Sequence, residues 1–331
     1  MTQLEHARSL ARARKWTELA RLAAAEPPDG AERSGEHTYL FADALRRIGE
    51  LDRARPLAVE ADRLAVRSAD ARLSLRTLNL LGMIAFESGA MQEAETRFSE
   101  LLERASDAGD DEFAARASNN LGILANVRGE TELALTAYQR ALASYHRIGY
   151  TRGLAQTYYN LGISYRDLGF DAEADSHYDR AIQFAEESDS EDVLAFAETE
   201  RANLRARDGD GQLAESIGTR ALARLERMGD RSGAANAIRV LAAAARARGA
   251  PDLALERLES ALATLESHPD PIVRAEIQRD RGSLLSELGD SAAASAALHE
   301  AVTAYEQIGA SADADATRLM LSVLVGPGEE V

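Results

Sequence analysis

Apolar side chains recur three and four residues apart along most of the chain, in stretches separated by short turns that contain glycine. This spacing places the apolar residues on one face of an α-helix. One such stretch lies on each side of every recurring glycine, and glycine readily adopts the left-handed backbone of a tight connection. The pattern therefore predicts paired helices and an all-α protein.

A fixed period organises these pairs. An alanine follows each loop glycine by five residues, and alanine or glycine stands seven residues before it. Small side chains at these places let two helices cross closely. Because one pair cannot bury its apolar face alone, the period predicts a right-handed α-solenoid of stacked antiparallel helix pairs. The loop glycines recur every forty residues: Gly49, Gly89, Gly129, Gly169, Gly209, Gly249 and Gly289.

Two of the units contain motifs that resemble the tetratricopeptide repeat (TPR) family. The motif residues are Asn120, Leu121 and Gly122 with Gly129 and Ala134, and Asn160, Leu161 and Gly162 with Gly169 and Ala174. The resemblance extends over essentially the whole chain. The forty-residue period is similar to the long-helix variety found in bacterial peptide-sensing regulators, kinesin light chains and spindle scaffolds. It implies a superhelix whose first helices line a concave groove that binds extended peptides, without catalytic activity.

The period divides the chain into four predicted segments. Residues 1–34 form a short TPR-like helix pair, with a turn at Pro27-Pro28-Asp29-Gly30. Residues 35–314 hold seven forty-residue units. Residues 315–325 form a C-terminal capping helix, and residues 326–331 form a disordered tail.

The helix that contains this cap is predicted to run from Ser311, at the end of the last forty-residue unit, to Leu324. Its apolar residues are expected to cover the last unit. These residues are Leu319, Met320, Val323 and Leu324. A terminal repeat needs a polar outer face, which this helix provides only in part. A homodimer through the C-terminal helix is therefore a further expectation.

The unit at 195–234 departs from the pattern. Arg201 and Arg205 stand where most other units have leucine or alanine, and Gly218 stands where three units have an aromatic residue. Long arginine stems can cover a core edge while the charged head stays in water. We favour this interpretation over a functional hinge at the same place.

Composition excludes several classes of partner and of binding site. The chain of 331 residues has a formal charge of −17 and no cysteine. An acidic surface opposes binding to nucleic acid or to an anionic membrane, and the absence of cysteine excludes disulfides and thiolate metal sites. Without an apolar leader or a run of eighteen apolar residues, the sequence predicts a cytoplasmic bacterial protein with protein or peptide partners.

The family geometry implies which first-helix residues face the groove. They lie 13, 10, 9, 6, 3 and 2 residues before each loop glycine, and we call these positions the stripe. The stripe contains every asparagine of the chain. Asparagine is a mediocre helix former, so helix formation does not explain this placement. A carboxamide can bind the carbonyl and the N–H of a peptide group together, which suits an extended ligand.

The stripe also holds nine arginines and eight acidic residues, so it is relatively basic on an acidic molecule. Arginine binds carboxylate through two hydrogen bonds, which favours an acidic segment or a free C-terminal carboxylate as the ligand. Aromatic residues add apolar anchors. The predicted peptide-binding residues are Arg76, Asn79, Phe86, Arg116, Asn119, Asn120, Asn126, Tyr159, Asn160, Arg166, Phe196, Asn203, Arg207, Asn236, Arg239 and Arg246.

A second interpretation assigns these residues a structural role. The asparagines would then form hydrogen bonds between helices, and the arginines would pair with adjacent acids. Both interpretations can hold together, because a residue that its neighbours orient is better preorganised for a ligand.

The sequence offers little support for other chemistry. The six histidines lack the spacing of metal ligands on one helix face. Gly209-Asp210-Gly211 lies at a repeat turn without a preceding strand, and Asp107 to Glu112 is better explained as a capping turn than as a cation site. We therefore expect no enzyme activity, no metal and no cofactor.

The leading prediction is a non-catalytic module that binds an extended peptide along residues 75–250. One alternative is a regulator that senses a signalling peptide and controls a transcription factor or kinase in trans. Another is a scaffold that assembles with copies of itself.

Overall fold

The computed structural model describes residues 3–23, 34–266, 270–308 and 310–325. Within these ranges the secondary structure consists of seventeen α-helices, without strands. The chain forms two compact units, which we call the first unit (Met1–Ser164) and the second unit (Tyr165–Val331) to distinguish them from the forty-residue units of the repeat. The predicted turn at 27–30 and the predicted tail at 326–331 lie outside the described residues.

The first unit contains the short N-terminal pair and the first forty-residue units. Its helices are α1 Gln3–Arg12, α2 Trp16–Ala23, α3 Gly35–Arg47, α4 Leu51–Arg67, α5 Ala71–Glu87, α6 Met91–Asp107, α7 Asp111–Val127, α8 Thr131–Ile148 and most of α9 Thr151–Asp167. Neighbouring helices pack as pairs, and the first helices α3, α5 and α7 also pack in sequence against one another.

The second unit begins within the last turn of α9 and continues the alternation. Its helices are α10 Asp171–Glu187, α11 Glu191–Arg207, α12 Gly211–Met228, α13 Arg231–Ala247, α14 Pro251–Thr264, α15 Pro271–Glu287, α16 Ser291–Gln307 and α17 Ser311–Val325. Here α11, α13 and α15 are the first helices that pack against one another. The predicted fold of stacked antiparallel helix pairs is confirmed in each unit.

The loop glycines connect the two helices of a pair. All seven have φ between +74° and +84°, the left-handed region that other residues adopt at a cost. Turns between pairs also contain left-handed residues, such as Gly109 with φ +67°, and some have an aspartate cap. Asp110, for example, accepts a hydrogen bond from the backbone N–H of Phe113 at 3.2 Å, which caps α7. The acidic turn at Asp107 to Glu112 thus contains a helix cap, as predicted.

The small residues before the loop glycines lie where the two helices of a pair cross. A methyl group on Gly122 would lie 2.5 Å from a ring carbon of Tyr138, and one on Gly82 would lie 2.4 Å from the ring of Phe98. Both aromatic rings are buried. The absence of a side chain on the first helix therefore makes room for an aromatic ring on the second.

Ion pairs connect the irregular unit at 195–234 to the preceding helix, α10. Arg201 donates to Asp175 at 3.0 Å and to Asp179 at 2.6 Å, and Arg205 also donates to Asp175. A methyl group on Gly218 would lie 2.9 Å from Leu241 in the next forty-residue unit. Leucine therefore fills the space that an aromatic ring occupies in other forty-residue units. The arginine heads remain partly exposed, in agreement with the favoured interpretation.

Of the four apolar residues expected to cover the last unit, Met320 and Leu324 are half-buried, and the prediction is wrong for Leu319 and Val323. Leu319 and Val323 are 68% and 79% exposed. The residues that α17 buries are Ala314, Thr317 and Leu321, on the opposite face. Small side chains on that face allow α17 to pack closely against α16, and this contact sets the rotation of the helix.

We predict that Gly122→Ala destabilises the protein by about 1–3 kcal/mol, because the added methyl group displaces the Tyr138 ring. Alanine favours a helix over glycine by about 1 kcal/mol, so a loss identifies the close crossing as the cause. Thermal unfolding followed by circular dichroism measures the change.

The double variant Gly122→Ala/Tyr138→Leu should regain part of the loss, because leucine lacks the ring. Gln139→Ala, at an exposed position beside Tyr138, is the control and should unfold as the wild type does. A Gly122→Ala protein at least as stable as the wild type would contradict this account.

Candidate functional site

The predicted stripe lies along the first helices of both units. Most of its side chains are partly exposed, as expected on a face that packs against neighbouring first helices without being fully covered. In the first unit its asparagines bind one another across helices. In the second unit its charged residues surround a cavity.

Two hydrogen bonds between asparagines connect three first helices of the first unit. Asn120 on α7 donates to the side-chain carbonyl of Asn79 on α5 at 3.0 Å. Asn160 on α9 donates to the side-chain carbonyl of Asn119 on α7 at 3.1 Å. In both pairs the partners are 41 residues apart. We call these four residues the asparagine ladder.

Other polar groups complete the ladder. The hydroxyl of Thr157 donates to Asn119 at 3.1 Å, and Ser164 donates to the carbonyl of Asn126 at 2.7 Å. Asn119 is buried, so its carbonyl is committed to two donors inside the protein. Within the described part of the chain, the side-chain carbonyls of Asn120 and Asn160 accept no hydrogen bond.

The remaining predicted residues of the first unit lie beside the ladder. The Arg76 guanidinium stacks 4.1 Å from the ring centre of Tyr39, and Arg116 pairs with Glu112 at 2.8 Å. Phe86 is half-buried and packs against a core cluster that includes Phe98. Tyr159 is also half-buried.

A cavity of about 480 Å³ lies among the first helices of the second unit. Ten of its fourteen lining residues are stripe positions of α9, α11, α13 and α15. These ten are Arg166, Asp167, Asn203, Arg207, Arg239, Ala243, Arg246, Glu276, Arg279 and Asp280. The other four are apolar: Ala242, Ala254, Leu258 and Leu284.

Arg239 is the most firmly held arginine of this cavity. It donates to Asp280 at 2.8 Å and to the carbonyl of Asn236 at 2.8 Å, and it pairs with Glu276 at 3.2 Å. Its side chain is only 11% exposed. Burial lowers the pKa of Arg239, but the two carboxylates outweigh burial and raise it above the ordinary value. Arg239 is therefore a permanent, internally neutralised charge.

Arg166 is neutralised in a similar way. It donates to Glu200 at 2.5 Å and to Asp167 at 2.8 Å. Burial lowers its pKa, and the charge of Glu200 is the largest of the opposing effects that raise the pKa overall. Its side chain, which is 26% exposed, still forms part of the cavity wall.

The arginines at the rim are more accessible. Arg207 pairs with Asp171 at 3.2 Å with about half of its side chain exposed, and Arg246 pairs with Glu287 with a similar exposure. Arg279 lies 3.4 Å from Asp280 and 3.8 Å from Asp313. Among the described residues, the Asn203 carboxamide has no hydrogen-bond partner.

The cavity brings together five of the seven predicted site residues of the second unit. Phe196 packs instead against a core cluster around Ala195 and Leu225, and Asn236 orients Arg239 from outside the lining. The prediction missed Glu276, Arg279 and Asp280, because it ended at residue 250. All three are stripe positions before Gly289, which the list of predicted peptide-binding residues left out.

The described residues contain no group of three histidine or acidic side chains placed to hold a metal ion. Nor does any described helix have the length and apolar character needed to cross a membrane.

Comparison with known proteins supports the repeat. The family model of the tetratricopeptide repeat matches residues 73–146 and 113–187. No curated protein sequence matches the chain significantly. Many solved structures do match it at low identity.

Two of these structures are Rap proteins in complexes. A Rap protein complexed with Competence and Sporulation Factor is 16% identical, with a TM-score of 0.62, and the match covers 97% of this chain and 96% of that one. The Rap conjugation gene regulator of plasmid pLS20, in complex with the Phr* peptide, is 16% identical, with a TM-score of 0.67 and coverage of 90% and 84%.

A third similar structure is that of a hetero-tetramer. The Cut9-Hcn1 hetero-tetramer of the APC/C is 16% identical, with a TM-score of 0.63. The match covers 91% of this chain and 52% of the matched chain, so this chain spans about half of the matched chain's length. At these identities the likeness establishes the fold. Residues 73–187 match the tetratricopeptide repeat model, and the helix pairs of both units have the fold of these solved structures.

Proposed function

We propose that this protein binds an extended peptide or protein segment along the stripe, with an acidic part of the ligand in the cavity of the second unit. The observation that carries the proposal is the composition of that cavity. Positions assigned to the stripe from glycine spacing alone supply ten of its fourteen lining residues. Its volume of about 480 Å³ is within the range of ligand sites.

The charges of the cavity favour an acidic ligand. Five arginines and three acidic residues line it. Arg207 and Arg246 are each held by one partner at the rim and can exchange it for a ligand carboxylate. Exchange of one carboxylate for another keeps the arginine paired, so it avoids the cost of a desolvated, unpaired charge. The Asn203 carboxamide adds a donor and an acceptor for a peptide group.

The asparagine ladder would bind the main chain of an extended segment in the first unit. The carbonyls of Asn120 and Asn160 would accept hydrogen bonds from main-chain N–H groups of the bound segment. Each of these residues is already oriented by its own amide, which donates to Asn79 or Asn119. An oriented side chain loses little rotational freedom on binding.

Fluorescence anisotropy with labelled acidic, neutral and basic peptides tests the proposal. We expect the acidic peptide to bind most tightly, and the double variant Arg207→Ala/Arg246→Ala to lose about 1.5–3 kcal/mol of binding per charge-assisted hydrogen bond. An amidated copy of the acidic peptide measures the share contributed by a free C-terminal carboxylate.

Arg53→Ala/Arg63→Ala is the matched control. It removes two exposed arginines of α4 that also pair with glutamates but lie outside the stripe. Equal losses in the two double variants would reduce the effect to net charge and contradict a site in the cavity. Binding of all three peptides with equal affinity would do the same.

Substitutions at two asparagines should distinguish a role in stability from a role in ligand binding. Asn119→Ala leaves the Asn160 amide unpaired and should lower the stability by about 1–3 kcal/mol. Asn203→Ala removes no internal bond of the described structure, so it should unfold as the wild type does but bind the acidic peptide more weakly. Thermal unfolding and anisotropy on the same samples measure both. Wild-type affinity in Asn203→Ala would remove this residue from the proposed site.

A second candidate function is that of a regulator that senses a signalling peptide and acts on another protein. The two similar Rap structures, both with a bound peptide or factor, favour it. A sensor that changes shape should show a smaller radius of gyration by small-angle X-ray scattering when the acidic peptide is added. An unchanged radius at saturation would favour a rigid binding module.

A further inference from the structure

The last helix exposes an apolar face that the described part of the structure leaves uncovered. Ala312, Ala316, Leu319 and Val323 on α17 are all exposed, the two larger ones by 68% and 79%. We call these four residues the α17 seam.

The α17 seam has the spacing of a helix-packing surface. Its residues follow one another at intervals of four, three and four. At 3.6 residues per turn they lie within an arc of about 60°, opposite the buried Ala314, Thr317 and Leu321. A narrow seam of this spacing is typical of a helix that packs lengthwise against another helix. The occupant that fits the seam is therefore a helix.

The order of small and large residues along the seam identifies that helix. The two alanines occupy the N-terminal half and the two large residues the C-terminal half. When a second α17 lies antiparallel, with its two-fold axis between residues 317 and 318, Ala312 faces Val323 and Ala316 faces Leu319 of the other copy. Every layer then combines one small and one large side chain, which fills space without overlap.

We propose that the α17 seam is a dimerisation surface that takes a second copy of this chain in this antiparallel register. A parallel arrangement would place alanine against alanine and leucine against leucine, which leaves gaps in one half and crowds the other. A two-fold axis also makes the surface self-complementary, as closed dimers require.

The dimer is weak. A contact confined to two fifteen-residue helices is small beside the about 1,200–2,000 Å² of a stable protein interface, so the dimer should form only at high protein concentration. Each chain carries a formal charge of −17, so the copies repel each other. Salt screens this repulsion, and association should therefore strengthen as ionic strength rises.

Disulfide trapping tests the register, because the natural chain has no cysteine. One sample contains Ala312→Cys, a second contains Val323→Cys, and a third is an equal mixture of the two. The antiparallel register places residues 312 and 323 of different copies opposite each other, within reach of a disulfide, whereas two copies of the same residue lie about 16 Å apart along the helix axis, beyond the about 4.4–6.8 Å between Cα atoms that a disulfide spans. Under mild oxidation we expect dimers in the mixture in clear excess over either variant alone.

Sedimentation velocity over a concentration series from the micromolar to the millimolar range tests the association itself. The wild type should show a monomer–dimer equilibrium, and Leu319→Ser/Val323→Ser should remain monomeric with an unchanged circular dichroism spectrum. Leu133→Ser/Val66→Ser, at exposed apolar positions of α8 and α4, is the matched control and should dimerise as the wild type does.

Several outcomes would overturn the proposal. A monomeric wild type throughout the series would show that no second copy binds. Dimerisation that survives Leu319→Ser/Val323→Ser would place the interface elsewhere. Crosslinking of either cysteine variant with itself, at the level of the mixture, would show a different register.

Discussion

The close crossing of the two helices in each pair is the constraint on which the other features depend. Gly82 and Gly122 leave room for the rings of Phe98 and Tyr138, so the first and second helices pack at short distance. Within each unit, successive first helices pack against one another. In several of these contacts, a side chain on one first helix meets the side chain 41 residues further along the chain.

That register explains why the stripe is polar but internally balanced. At the same pair of positions, Asn79 meets Asn120, Asn119 meets Asn160, and Arg239 meets Asp280. A second register of the same length pairs Arg246 with Glu287. An acidic protein can in this way keep arginines on one face without leaving any of these desolvated and unpaired. A ligand on this face meets oriented groups and competes with existing partners.

The fold could be predicted from the sequence because its period depends on a backbone requirement. The loop glycines have positive φ, which glycine adopts readily, and they mark each connection directly. The stripe followed from the same markers, and it identified the residues around the cavity. The partners within the stripe did not follow, because spacing along one helix does not show which neighbouring side chain it meets. Arg239 and Asp280, which are 41 residues apart, have opposite charges, but the sequence alone does not show that they form a pair. The register of adjacent helices shows it.

The C-terminal helix was misjudged for a related reason. Leu319 and Val323 were expected to be buried because they are large and apolar. A helix at the end of a stack has a neighbouring layer on one side, and close approach to that layer favours the smaller Ala314 and Thr317.

The constant 41-residue spacing of these partners also limits how such a chain can change in length. Duplication or loss of a whole forty-residue block preserves the spacing on each side of the junction, so every side chain still finds a neighbour of the same kind of position. One extra residue inside a first helix rotates everything after it by about 100° and separates the partners. Arrays of this type should therefore grow and shrink by complete modules, and their lengths should differ among relatives in multiples of one repeat.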